Sequence, residues 1–417
     1  MNIFDQYESN VRSYCRKFTD TYKSAKGSVI TSEDGKEFLD FFAGAGALNY
    51  GHSNDAVVGP VIEYLQSGGI IHALDMHTSA KAEFIKTFQE KILKPKNLDY
   101  KIMFCGPTGT NAVEAALKLA RKNTGRSHVF AFSGGFHGMT QGSMSVTSND
   151  AIRGSAGVAL CNTTYLPYPS RQYEGFDTIK YIETLLTDDH SGVDKPAAMI
   201  LETVQAEGGI NVAPAEWLKQ LRELCDKHGI LMICDDIQIG CYRTGDFFSF
   251  ERAGIVPDMV VLSKSISGGG FPMSLLLMKP ELDIYTPGEH NGTFRGYQPG
   301  FVGAKAAVEY SIEADIANQV KSKHKLIMDL LSEIDNDERT QIRGLGMIIG
   351  IDFNDWGIDG MARSISALCY EQGLIIETAG RNGNVLKLLP PLTTTEEQLK
   401  KGCEIICNSV KKFISQL

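Results

Sequence analysis

The chain has no uninterrupted apolar run approaching about 18 residues, so its sequence offers no membrane-spanning helix. It also lacks a positive excess: 41 Lys and Arg stand against 50 Asp and Glu, a formal net charge of -9. That balance argues against nucleic acid or an anionic membrane surface as a partner. The nine cysteines, at 15, 105, 161, 225, 234, 241, 369, 403 and 407, form no CxxC pair, and no histidines accompany them at zinc-ligand spacing. An odd, dispersed set argues against a disulfide framework or a structural metal, and no metal is expected. The opening stretch "MNIFDQYESNVRSYCRKF" carries charge throughout and lacks the apolar core of a secretory signal, so a cytoplasmic location is expected. There is no repeat, low-complexity tract or long Pro/Ser/Gly linker.

What is present is a recurring unit, a short apolar run that opens into a polar or glycine-rich turn and then a helical pattern. "KIMFCGPTGT", "HVFAFSGGFHG", "AAMILETVQAEGG", "GILMICDDIQIG" and "MVVLSKSISGGG" all have this form. Continuous apolar runs of that length suit strands covered on both faces, as in a parallel or mixed sheet flanked by helices. Over 111–122, Val113, Ala116, Leu117 and Ala120 follow the stripe of an amphipathic helix. The class is therefore α/β. Past about residue 315 a charged helix, "EADIANQVKSKHKLIMDLLSEIDN", and the strand candidates "GLGMIIGIDF", "GLIIETAG" and "NVLKLLPPL" indicate a smaller α+β domain. The expected organisation is 1–60 as an N-terminal segment of that small domain, 61–315 as the large domain and 316–417 as the C-terminal part of the small one.

In such sheets ligands gather beyond the carboxyl ends of the strands. Four of these ends carry suggestive residues. Gly109 and Thr110 open a helix after a strand, where bare amides and the helix dipole form an anion seat; the P-loop lysine is missing, and a plain turn fits as well. Phe136 and His137 follow two glycines, and an aromatic there can stack on a flat heterocycle or simply fill core. Asp235 and Asp236 end an apolar run, where a buried carboxylate needs a cationic or protonated partner. A protonated pyridinium nitrogen is one such partner; a metal ion and a capped helix N-terminus are the others. Lys264 ends the next run, before Gly268, Gly269 and Gly270. A desolvated lysine there is able to form a Schiff base with a carbonyl, whereas a lysine emerging into solvent would do nothing. Phosphate seat, aromatic plate, pyridinium partner and Schiff-base lysine together describe a site for pyridoxal 5'-phosphate.

With these residues in place, the sequence resembles the class III pyridoxal-phosphate aminotransferases, from "GKEFLDFFAGAGALNYGH" to "LLPPLTTTEEQL". The resemblance implies the aspartate aminotransferase-like fold type I, a large domain with a central, mostly parallel sheet plus a smaller α+β domain. It makes Lys264 the lysine that holds the cofactor and Asp235 the partner of its ring nitrogen. Gln238 becomes a contact to the ring hydroxyl, Gly109 and Thr110 phosphate donors, and Phe136 the stacking ring beside His137. "GTFRG" resembles the stretch whose threonine, here Thr293, reaches the phosphate of a neighbouring subunit, which implies a homodimer or larger homo-oligomer with shared sites.

"GEHNGTFRG", "LSKSISG", "GGFHGMT" and "AGAGALNYGH" are closest to the diaminobutyrate aminotransferases of the ectoine and siderophore type. These exchange L-2,4-diaminobutyrate and 2-oxoglutarate for L-aspartate 4-semialdehyde and L-glutamate. Met139 stands where ornithine, acetylornithine and 4-aminobutyrate enzymes carry an arginine, which disfavours those three. Arg295 stands where many relatives have glycine, as a carboxylate contact or an interface ion pair. Lys387 replaces the arginine that grips a substrate α-carboxylate, and Glu207 matches the glutamate that covers that cation. A lysine offers a point charge in place of a fork. The alternatives carried are another class III ω-aminotransferase acting on ornithine, lysine, 4-aminobutyrate or another diamine, and a catalytically inactive cofactor-binding regulator.

Overall fold

The computed structural model describes residues 2–417. Its centre is a seven-stranded sheet in the spatial order Lys101–Phe104, Leu275–Met278, Met259–Leu262, Leu231–Asp235, Ala198–Leu201, Val129–Phe132 and Thr163–Leu166. Leu275–Met278 runs antiparallel to both of its neighbours, and every other adjacent pair is parallel. Val129–Phe132, Ala198–Leu201, Met259–Leu262 and Leu275–Met278 are buried at every residue, because helices cover both faces. This is the α/β arrangement expected of fold type I.

The helix predicted over 111–122 runs Gly109–Thr124 and buries Val113, Ala116, Leu117 and Ala120. It stops at Gly125, which takes a left-handed φ of 68°. The stretch from Glu313 does not form one helix. Asp315, at φ 50°, separates Gln298–Glu313 from Ile316–Leu331.

Two four-stranded sheets flank the centre. One joins Tyr22–Lys26, Val29–Ser32 and Glu37–Asp40 to Leu374–Ile375; the other orders Gln341–Leu345, Ile348–Asp352, Val385–Leu388 and Glu377–Ala379. "GLIIETAG", expected as one strand, is thus divided between two sheets. Arg243, fully buried, binds these parts together by donating to Asn49 Oδ1, Met347 O and Pro390 O. All nine cysteines are unpaired. No helix among the described residues is long and apolar enough to cross a membrane.

Candidate active site

Strand register brings the predicted residues together. Asp235 lies opposite Val261 and Cys234 opposite Leu201. Lys264, just past Leu262, and Glu202, just past Leu201, therefore emerge on either side of Asp235 at one edge of the sheet. Between them lies a cavity of about 150 Å³, bordered by Gly109, Thr110, Phe136, His137 and Gln238 as well.

Lys264 sits in a left-handed conformation, φ 52°, which non-glycine residues seldom adopt. The glycines that follow have a packing reason. A Cβ on Gly268 would stand 2.4 Å from that of Ala307 and 3.0 Å from the carbonyl oxygen of Gly303, so only glycine lets the Gln298–Glu313 helix press against this turn. Burial lowers the pKa of the Lys264 ammonium, and the nearby charge of Lys387 adds to that effect; Glu207, Glu377 and Asp235 oppose it without reversing the direction. An amine released from its proton is a nucleophile and a base.

Asp235 is almost fully buried and doubly held. Its Oδ2 is 2.7 Å from His137 Nδ1, and its Oδ1 accepts from the amide of Ile237 at 3.1 Å. His137 is fixed in turn by its own amide, which donates to Thr147 Oγ1 at 2.9 Å. Glu202 accepts from the amide of Phe136 at 3.2 Å, and burial followed by the charge of Asp235 pushes its carboxyl well above the usual range. At Gly109 a Cβ would come within 2.8 Å of Ile237 Cδ1, so the backbone at the start of the Gly109–Thr124 helix lies close against that side chain. The first amides of that helix have no intrahelical acceptor, which suits an anion.

Beyond the cavity, Lys387 is completely buried in a cluster of acceptors. Its Nζ is 2.5 Å from Glu207 Oε1, 2.8 Å from Glu377 Oε1 and 3.4 Å from Gln238 Oε1. Burial pulls the lysine's pKa down, but the two carboxylates outweigh it and leave the value raised. The two acids respond differently. For Glu207 burial is overcome by Lys387 and Lys264, leaving the carboxyl lowered, while for Glu377 burial prevails over Lys387 and the carboxyl is raised. Glu207 has the shorter contact and also accepts from Gln238 Nε2 at 3.3 Å, and its charge in turn raises the Glu377 carboxyl.

Thr293 and Arg295 lie elsewhere in the same chain. They occupy the turn Thr293–Gly296, where Thr293 O accepts from His72 and Arg295 forms an ion pair with Asp75 beside a separate groove. Met139 is exposed. Glu202 and Glu377 were missed by sequence reasoning. Glu202 ends the run "AAMILE" as Asp235 and Lys264 end theirs, and the same criterion applied there would have found it.

A deep lysine and a held carboxylate facing each other across the carboxyl edge of a mostly parallel sheet define a pyridoxal-phosphate transferase of fold type I. The chain belongs to the class III aminotransferase family, whose model matches residues 13–410. Among its relatives is the diaminobutyrate–2-oxoglutarate transaminase of Halalkalibacterium halodurans, 49% identical over 99% of this chain and 97% of that one. Its counterpart in Bordetella parapertussis is 50% identical over 100% of this chain and 96% of that one. The solved ornithine aminotransferase of Toxoplasma gondii superposes with a TM-score of 0.86 at 23% identity, covering 99% of this chain and 94% of that chain. The chain is thus a transaminase with pyridoxal 5'-phosphate as cofactor and with amino acids and 2-oxo acids as substrates.

Proposed function

We propose that the protein interconverts L-2,4-diaminobutyrate plus 2-oxoglutarate with L-aspartate 4-semialdehyde plus L-glutamate. The observation that carries this reading is identity near 50%, along essentially the whole chain, to several transaminases of that name. When bound, pyridoxal phosphate supplies an electron-withdrawing ring that stabilises negative charge beside the transferred nitrogen.

The chain's own residues do the rest. Lys264 would hold the cofactor and, once freed by an incoming amine, move the proton to and from the substrate carbon. Asp235, oriented by His137, would keep the proton on the ring nitrogen. Gly109 and Thr110 would seat the phosphate, Phe136 would cover the ring, and Gln238, which lines the same cavity, would contact the ring hydroxyl. Thr293 would reach a neighbouring copy's phosphate, making the active unit a homodimer or larger, and Arg295 would sit at that interface. Glu207 would cover Lys387 while a terminal amine reacts and yield it to the α-carboxylate of glutamate. We also assign a cytoplasmic location, a large domain over 61–315 and a small domain built from 1–60 and 316–417.

The test is an assay of purified protein with diaminobutyrate and 2-oxoglutarate, with ornithine and 4-aminobutyrate as competitors. Glutamate formation with diaminobutyrate preferred supports the reading; preference for either competitor contradicts it.

A further inference from the structure

Lys387 has two acids where one would neutralise it. Glu207 reaches it from the turn after Val204–Gln205, and Glu377 reaches it from the neighbouring strand, directly opposite in antiparallel register. Only Glu207 is free to exchange. It keeps 33% of its side-chain exposure and borders the cavity, whereas Glu377 keeps 4% and stands behind the lysine. Glu377 Oε1 approaches Lys387 Nζ at 2.8 Å, so the two charges are in direct contact.

With both acids ionised the trio carries one surplus negative charge inside a low-dielectric wall. That charge lies near enough to Lys264 for each to act on the other. A surplus of this sign favours a ligand with an extra cation and opposes one with an extra anion. We propose that Glu377 is a specificity-determining residue that biases the site toward amine donors bearing a second ammonium group and against dicarboxylate acceptors. It touches no substrate and acts through Lys387 and Glu207. The inference rests on the transaminase reading above, because diaminobutyrate differs from 4-aminobutyrate by such an α-ammonium and 2-oxoglutarate carries two carboxylates.

The charged and titratable groups facing Glu377 are Lys387 on the opposite strand, Glu207 on the hairpin turn, Lys264 beyond Met259–Leu262 and Tyr14 in the N-terminal segment. Burial holds the Glu377 carboxyl above its ordinary range, with Lys387 opposing. The surplus charge therefore grows as pH rises through its titration, and so does the preference for the diamine.

The experiment compares wild-type holoenzyme with Glu377→Gln and Glu377→Asp. It measures kcat/KM for diaminobutyrate, the binding of 4-aminobutyrate as substrate or competitive inhibitor, and KM for 2-oxoglutarate. Glu377→Gln is expected to cut the preference for diaminobutyrate over 4-aminobutyrate by roughly tenfold and to lower KM for 2-oxoglutarate, with Glu377→Asp restoring both. A structural role would weaken both amines together. An unchanged preference, or equal losses for the two amines, overturns the proposal. If Glu377→Gln does not fold or retain cofactor, Glu377→Leu takes its place: the same drop in diamine preference upholds the proposal, and an unchanged preference overturns it. Wild-type protein without turnover on diaminobutyrate and 2-oxoglutarate would contradict the transaminase reading itself, a result distinct from failure of the Glu377 variants.

Discussion

His137 Nδ1 lies 2.7 Å from Asp235 Oδ2, and both side chains are almost fully buried. The pair leaves Asp235 supported from behind by an imidazole and from its own chain by the Ile237 amide, so its charge is held in one place at the cavity wall. Replacing Asp235 with Asn keeps the shape and removes the charge. Transaminase turnover should fall by at least on the order of 100-fold, as when a fixed electrostatic group is lost from an active site. Initial rates of glutamate formation, with the visible absorbance confirming bound cofactor, check this.

Gly109→Ala places a methyl group 2.8 Å from Ile237 Cδ1, in the cradle at the helix start. Alanine is a better helix former than glycine, so folding should survive while the added methyl crowds the anion seat. Cofactor retained after dialysis, read by absorbance, should drop, and added pyridoxal phosphate should restore activity only at higher concentration than wild type requires.

Lys387→Met leaves Glu207 and Glu377 facing each other without their cation. Breaking a buried pair in this way costs about 3–5 kcal/mol. Denaturant unfolding should show a loss of that order, and additional removal of Glu377 as Gln should recover part of it. Lys387→Arg keeps the charge and should cost far less.

Asp236 points away from the cavity into a bond with Ser249, and burial raises its carboxyl from 3.8 to about 7 against the pull of the Ser249 bonds. A folded-state pKa above the unfolded one stabilises most below the unfolded value, and that contribution is lost as pH rises through the folded one. Wild-type stability should therefore decline between about pH 4 and 7 through this group, by on the order of 1 kcal/mol per pH unit, and level off above. Asp236→Asn should remove this slope; an unaltered slope in chemical denaturation across that range would contradict the assignment.

Much of this architecture was legible because it depends on local pattern. Val113, Ala116, Leu117 and Ala120 mark one helix face whatever the helix packs on, and an apolar run ending in Asp235 or Lys264 signals a buried strand that delivers charge to an edge. Glu377 was hidden for a different reason. Its partner Lys387 is set by antiparallel register, and the run containing it switches sheets between Ile375 and Glu377, which periodicity cannot reveal. Arg295 shows the converse limit: its charge was legible, but its pairing with Asp75 depends on how distant segments fold together.

The most direct test of the account is borohydride reduction of purified holoenzyme followed by peptide mapping. The account predicts a pyridoxyl group on Lys264 and on no other residue. A label on a different lysine, or none in protein that shows the cofactor's visible absorbance, would contradict it.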